Sequence, residues 1–330
     1  MFSPRSAYYS LVRSLAFFCR GRISSAIITG CMARLRLLAD SIGPGGRAGV
    51  YLGHLRRVFP DRSEAWRKRT MLGYWRKHER GMLGLFLVGR LEPGELRNRV
   101  EWCGREVLDQ AVAEGQGVLL LAPHFGDERA MHILLAMSGY PMHVISSAYD
   151  DAPPSVRRAR LEVTRRWHHV AFPDQSPRWM FDALSAGELV QIAPTAYAGP
   201  RGLWVTSFGV PVLVTSTPYR VRASTGCAMV LAHNHALPGF RYRMEFDRVE
   251  PSRDMLQTAQ RVFGMMEAHA RRHPDQYDWM NLAIRHRETN TIARIGRIPS
   301  SEEELESLAV PSDEDPSNLA EPGRLSGTTR

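Results

Sequence analysis

Five consecutive apolar residues, Val118-Leu-Leu-Leu-Ala122, are closed by Pro123 and followed by a helical pattern from Asp127 to Met137 that stops at Gly139. A run this short and this uniformly apolar is a strand buried on both faces, because a strand with one wet face would alternate with polar residues. Proline has no N–H to donate and ends the ladder. A second short run, Met142 to Ser147, completes a βαβ unit. Further strands are expected at Leu189 to Ala193, Val210 to Thr215, Cys227 to His233 and Tyr242 to Phe246, and helices over residues 47 to 58, 63 to 89 and 255 to 272. The pattern predicts an α/β fold with a mixed sheet covered by helices.

At 330 residues and 44% hydrophobic content, the chain suffices for one large domain with extensions. Residues 1–46 are read as a basic amphipathic region that associates with membrane, 47–298 as the main domain and 299–330 as a disordered acidic tail. In the first region Tyr8, Tyr9, Leu11, Val12, Leu15, Phe18, Ile23, Ile27, Cys31, Leu35 and Leu38 fall at mostly helical spacing between arginines, with a break near Gly21. Such a helix can lie in a headgroup plane or pack on the protein's own core. Its longest uncharged stretch, Ile23 to Ala33, falls short of the roughly 18 to 20 residues that cross a bilayer, so no span is expected.

The formal charge is +9, yet the segment from Pro299 onward carries −6, which leaves +15 on the rest. A body this basic is drawn to anionic surfaces. Of the 43 basic residues of the whole chain 41 are arginine, which reflects either the codon bias of a GC-rich genome or selection for bidentate phosphate binding. The four cysteines form no Cys-x-x-Cys pair, and neither a disulfide framework nor a zinc site is expected. His269 and His273 stand four apart on a predicted helix, but no third metal ligand is apparent in the sequence. No phosphate loop, nucleophile elbow or nucleic-acid motif is present.

Chemistry concentrates at the end of the first strand, in Ala122-Pro-His124-Phe-Gly-Asp127-Glu128-Arg129. A histidine there stands outside the sheet, and its ordinary pKa of about 6.5 lets it accept a proton near neutrality. Asp127 and Glu128 in the first helical turn are within reach of the ring, and either could fix its tautomer. Glu128 is expected to matter more, with Asp127 mainly capping the helix. Both could instead simply complement the helix dipole. Backbone N–H groups at the helix start could bind a developing oxyanion.

From about residue 55 to 285 the chain resembles the late acyltransferases of lipid A biosynthesis, the lauroyl and myristoyl transferase family. The matching stretches are Val58-Phe-Pro, Gly104-Arg-Glu-Val-Leu, Ala113-Glu-Gly-Gln-Gly-Val-Leu-Leu-Leu-Ala-Pro-His-Phe-Gly, Ala193-Pro followed by Gly199-Pro-Arg, Ser207-Phe-Gly-Val-Pro, Thr225-Gly-Cys and Pro274-Asp-Gln-Tyr-Asp-Trp. The resemblance implies a glycerolipid-acyltransferase-like fold that sits peripherally on the cytoplasmic face of the inner membrane. It implies acyl transfer from an acyl carrier protein or coenzyme A thioester to a hydroxyl of a phosphorylated glycolipid, with no metal or resident cofactor and no nucleic-acid partner. His124 would be the base, and Arg158 or Arg160, where the family has an Arg-x-Arg pair, and Arg201 would hold phosphates.

Three positions depart from the family pattern. Arg129 stands where the family's motif has its acid, Thr195 where an acid commonly follows Ala-Pro, and Asn281-Leu282 where His-Arg is usual. These departures keep two other readings open: a lipid-binding or scaffold protein that lost catalysis, and an active enzyme with a different lipid or lipopeptide acceptor.

Overall fold

The computed structural model of the chain describes residues 11–12, 14–15, 22–42, 47–145, 154–171, 178–195, 202–279 and 281. The acidic tail, Arg201 and the segment that follows residue 145 lie outside them.

Three helices come first: α1 (Arg22–Ile42), α2 (Arg47–Val58) and α3 (Glu64–Leu87), the last capped by Ser63, whose hydroxyl accepts from the Trp66 N–H at 3.2 Å. After the one-turn helix α4 (Leu96–Arg99), the chain runs β1 (Val100–Cys103), α5 (Arg105–Ala113), β2 (Val118–Leu121), α6 (Glu128–Met137), β3 (Met142–Val144), α7 (Pro154–Arg166), β4 (Val170–Ala171), α8 (Arg178–Ser185) and β5 (Leu189–Ile192). It ends with β6 (Leu203–Ser207), β7 (Val210–Val214), α9 (Thr217–Thr225), β8 (Ala228–Leu237), β9 (Arg241–Arg248) and α10 (Met255–Arg272).

Seven strands form one sheet in the order β1-β9-β8-β2-β5-β3-β4, parallel throughout except for the β8–β9 hairpin. The mixed sheet expected from the sequence is therefore present. Two details differ. β2 and β3 do not pair, because β5 returns between them. The Val210–Val214 strand leaves the main sheet and pairs with β6 in a separate antiparallel hairpin.

β2 lies at the centre, and its alternate residues feed two cores. Val118 and Leu120 face the layer that holds α6, while Leu119 and Leu121 face the layer of α8, α9, α10 and the β6–β7 hairpin. All four are wholly buried, as the uninterrupted apolar run requires. A third cluster, with Tyr51, Tyr74 and Trp75 from α2 and α3 and with Phe125, Tyr277 and Trp279, packs the N-terminal helices against the loops at the C-terminal rim of the sheet.

α1 has two apolar faces. Ala33 is fully buried and Ile28 and Met32 pack inward, whereas Ile27, Leu35 and Leu38 are 60, 67 and 60% exposed and align with the exposed Cys31 on the opposite side. No helix among the described residues is long and apolar enough to cross a membrane.

Candidate active site

The register of the sheet decides which residues meet at its rim. Leu121, the last residue of β2, is opposite Ile192 on β5 and Leu231 on β8. Three residues beyond each of these stand His124, Thr195 and Asn234, so neighbouring strands of equal register bring all three to one level. The crevice outside the carboxyl ends of parallel strands is the usual ligand site of such folds.

His124 is half-buried, and its Nδ1 lies 2.8 Å from the hydroxyl oxygen of Thr195, itself 4% exposed. The loop carrying the histidine is tied on both sides. The Asp127 N–H donates to the Asn234 carbonyl at 2.9 Å while Asn234 Nδ2 donates to the Asp127 carbonyl at 2.6 Å. The Gly126 N–H donates to Gln276 O at 2.7 Å, and the Asp278 N–H donates to His124 O at 2.9 Å. Gly126 has a φ of +60°, and a Cβ there would sit 1.8 Å from the Asn234 carbonyl oxygen. The N–H groups of Phe125, Gly126 and Asp127 are all spent on backbone carbonyls and are closed to an oxyanion, whereas the helix start proper begins one residue later, at Glu128.

The nearby acids separate by environment. Asp127 occupies the N-cap position of α6 but makes no capping hydrogen bond; it is 1% exposed, and neither carboxylate oxygen has a hydrogen-bond partner. It faces α3, where Gly81 and Gly84 leave room for it: an added Cβ would come within 3.3 and 3.0 Å of its oxygens. Burial pushes its carboxyl above the usual range, against the opposing pull of Arg80. Glu128 is partly exposed, 4.0 Å from Arg129 Nη2.

A third acid was given no role on sequence grounds. Asp278 accepts from the Tyr74 hydroxyl at 2.8 Å and from the Asn281 N–H at 3.1 Å. Burial works to raise its carboxyl, but Lys77, His124 and the Tyr74 hydroxyl outweigh it and hold it below the ordinary carboxylate range. An ionised Asp278 is thus in the field of the histidine, whose carbonyl accepts from the Asp278 N–H. Its signal was present in Pro274-Asp-Gln-Tyr-Asp-Trp, but only the fold shows Tyr277 bridging to Phe125 and bringing Asp278 beside the His124 loop.

Of the arginines, Arg158 is exposed on α7, which packs beside β4, three strands from β2. Arg160 is on the same helix, though its side chain lies outside the description, as does the whole of Arg201.

The rim described above lies within residues 43–285, which match the model of the bacterial lipid A biosynthesis acyltransferase family. The chain belongs to that family. A curated member, a lipid A biosynthesis acyltransferase of Haemophilus influenzae, is 28% identical over 109 residues. That match covers 29% of this chain and 34% of the relative, so the chain spans about a third of the length of the curated relative it matches. Family membership agrees with the α/β sheet and puts the Pro123-His124 loop, Thr195 and Asp278 all inside the matched region.

Proposed function

We propose that this chain is an O-acyltransferase that moves a fatty acyl group from an acyl carrier protein or coenzyme A thioester to a hydroxyl of a membrane glycolipid of the lipid A precursor type. The observation that carries the reading is the 2.8 Å contact of His124 Nδ1 with Thr195 at the rim of the sheet, in a chain of an acyltransferase family. With the Nδ1–H donated to Thr195 Oγ1, the lone pair is on Nε2, free to take the proton of the acceptor hydroxyl. The alkoxide attacks the thioester carbonyl, the C–S bond breaks, and the imidazolium returns its proton to the departing thiolate. Asp278 stabilises the imidazolium through its charge, the part that sequence reasoning gave to Glu128. Arg158, Arg160 and Arg201 bind phosphates of the carrier and the acceptor.

Arg129, at the family's acid position, motivates the second reading, a lipid-binding protein without catalysis. Asp278 answers it by supplying a carboxylate from elsewhere. The deciding measurement is incubation of the purified chain with an acyl thioester and membrane lipids, followed by mass spectrometry. A new lipid heavier by one acyl group, formed with equimolar thiol release, is the expected result; binding of lipid with no acyl gain would instead support the non-catalytic reading.

We further propose that the chain works peripherally on the cytoplasmic face of the inner membrane, with the exposed Ile27, Cys31, Leu35 and Leu38 stripe of α1 entering the headgroup region and the basic body drawn to anionic lipid. Vesicle binding should rise with anionic lipid fraction and fall with added salt, because screening at 1 M ionic strength acts over about 3 Å. The double variant Leu35→Asp and Leu38→Asp should bind at least about tenfold more weakly, since each buried leucine contributes about 1.5 to 3 kcal/mol. Equal binding by wild type and variant would remove α1 from the membrane contact.

A further inference from the structure

Behind the His124 loop, on the side of Phe125, the β8–β9 hairpin and α10 bring together five side chains that the proposed reaction does not use. They are His233 and His235 on β8, Glu245 and Asp247 on β9, and His269 on α10. The three histidines are 1, 3 and 5% exposed. Their burial is unusual because two ring nitrogens approach a carboxylate closely without forming a hydrogen bond with it. His235 Nε2 is 3.1 Å from Glu245 Oε1 and His269 Nδ1 is 3.7 Å from Glu245 Oε2, yet neither nitrogen has a hydrogen-bond partner. Both nitrogens of His233, whose ring stacks on that of His269 at 3.7 Å, are unpartnered as well.

Buried polar nitrogens that miss their hydrogen bonds call for an explanation, and a shared cation provides one. We propose that His235, His269 and Glu245 form a binding site for a divalent transition metal of the zinc class. The ligand atoms of this set all lie within 4.8 Å of one another. Tetrahedral zinc, with Zn–N bonds of about 2.0 to 2.1 Å, holds its ligand atoms about 3.3 Å apart, a spacing that the two carboxylate approaches bracket. A small turn of the imidazoles closes the remaining gap. The rings of His235 and His269 are tilted by 54° with centroids 6.4 Å apart, so their lone pairs can converge. The stacked rings of His233 and His269 cannot converge in the same way, which disfavours the other set, His233 with Asp247 and His269.

A further feature also belongs to metal sites. The other nitrogen of His269, Nε2, is 3.1 Å from Asp247 Oδ2. A metal-bound imidazole generally donates its remote N–H to a carboxylate, which fixes the tautomer and leaves the near nitrogen for the ion. Glu245 and Asp247 together balance a divalent charge in a neighbourhood that also contains Arg243 and Arg272. The ring of Phe125 stands edge-on to His235 and His269, at 4.9 and 6.3 Å, directly next to the base in the chain. The ion would fasten α10 to the hairpin behind the loop that bears His124, with water completing the coordination that three protein ligands leave open.

The test uses the purified full chain, stripped with chelator and titrated with cobalt(II) or zinc alone. Uptake of about one equivalent is expected, with the visible cobalt bands of a four- or five-coordinate nitrogen and oxygen site and a rise in melting temperature. His235→Gln and His269→Gln should each abolish the bands, and Asp247→Asn should weaken binding about 10- to 100-fold. Should either glutamine variant fail to fold, Glu245→Gln, at a side chain 24% exposed, asks the same question with less disturbance of the core. Uptake below about a tenth of an equivalent, or uptake that survives these substitutions, overturns the assignment. None of these readouts depends on acyl transfer.

Discussion

His124→Ala should abolish acyl transfer, with a loss on the order of 10²- to 10⁴-fold in rate, while the protein remains folded. The ring is half-buried, and its described side-chain hydrogen bond is the one to Thr195, so its removal costs little packing. The two acids offered as its partners can be told apart in the same assay. Asp278→Asn keeps the hydrogen bonds from Tyr74 and Asn281 but removes the charge that faces the imidazolium. It should therefore lower kcat more than Glu128→Gln, whose carboxylate is partly solvated and close to Arg129. The opposite ranking would give the orienting role back to Glu128. Wild-type transfer by His124→Ala would sink the mechanism altogether.

Among the described glycines, Gly126→Ala should be the most disruptive substitution. The positive φ alone costs about 1 to 2 kcal/mol for a residue with a Cβ. A carbon 1.8 Å from a backbone oxygen cannot be accommodated at all, so the loop must leave the strand. The bonds that tie Asp127 to Asn234 would go with it. Destabilisation of about 3 kcal/mol or more is expected in denaturant melts. Any molecules that fold should show acyl transfer as low as that of His124→Ala. A variant within about 0.5 kcal/mol of wild type would mean that the loop is held by something other than this contact.

Much of this architecture was legible in the residues. Val118 to Ala122 read correctly as a buried strand, one residue longer than β2, because a strand buried on both faces has no polar position to interrupt it. The α6 and α10 patterns were equally plain. β1, β4 and β6 were not, since Glu101 and Thr206 break the apolar runs of β1 and β6 and β4 has only two residues. Pairing was the less accessible part: nothing local in Met142 to Val144 says that β5 will return between it and β2.

The site divides in the same way. His124 was readable from its place after a strand and a proline, because both features are local. Its partners were not, because Thr195 and Asp278 are distant in sequence and arrive through sheet register and a loop bridge. Thr195 even stood out as a departure from the family pattern, yet it is the residue that bonds the histidine. On sequence grounds His269 was weighed only with His273 and passed over for lack of a third ligand, since Glu245 and His235 approach it only when β8 and β9 fold back on each other.

All three residues that meet at the rim come from the carboxyl ends of β2, β5 and β8, and this leaves the other end of the sheet free for engineering. The turn that enters β2, Glu114-Gly115-Gln116, is exposed, and the turn that enters β5 is at the same end. A four-residue strand separates the two rims by about 13 Å. An affinity tag, a fluorescent reporter or a pair of new chain termini placed at Gly115 would therefore be attached at the rim opposite His124, Thr195 and Asn234.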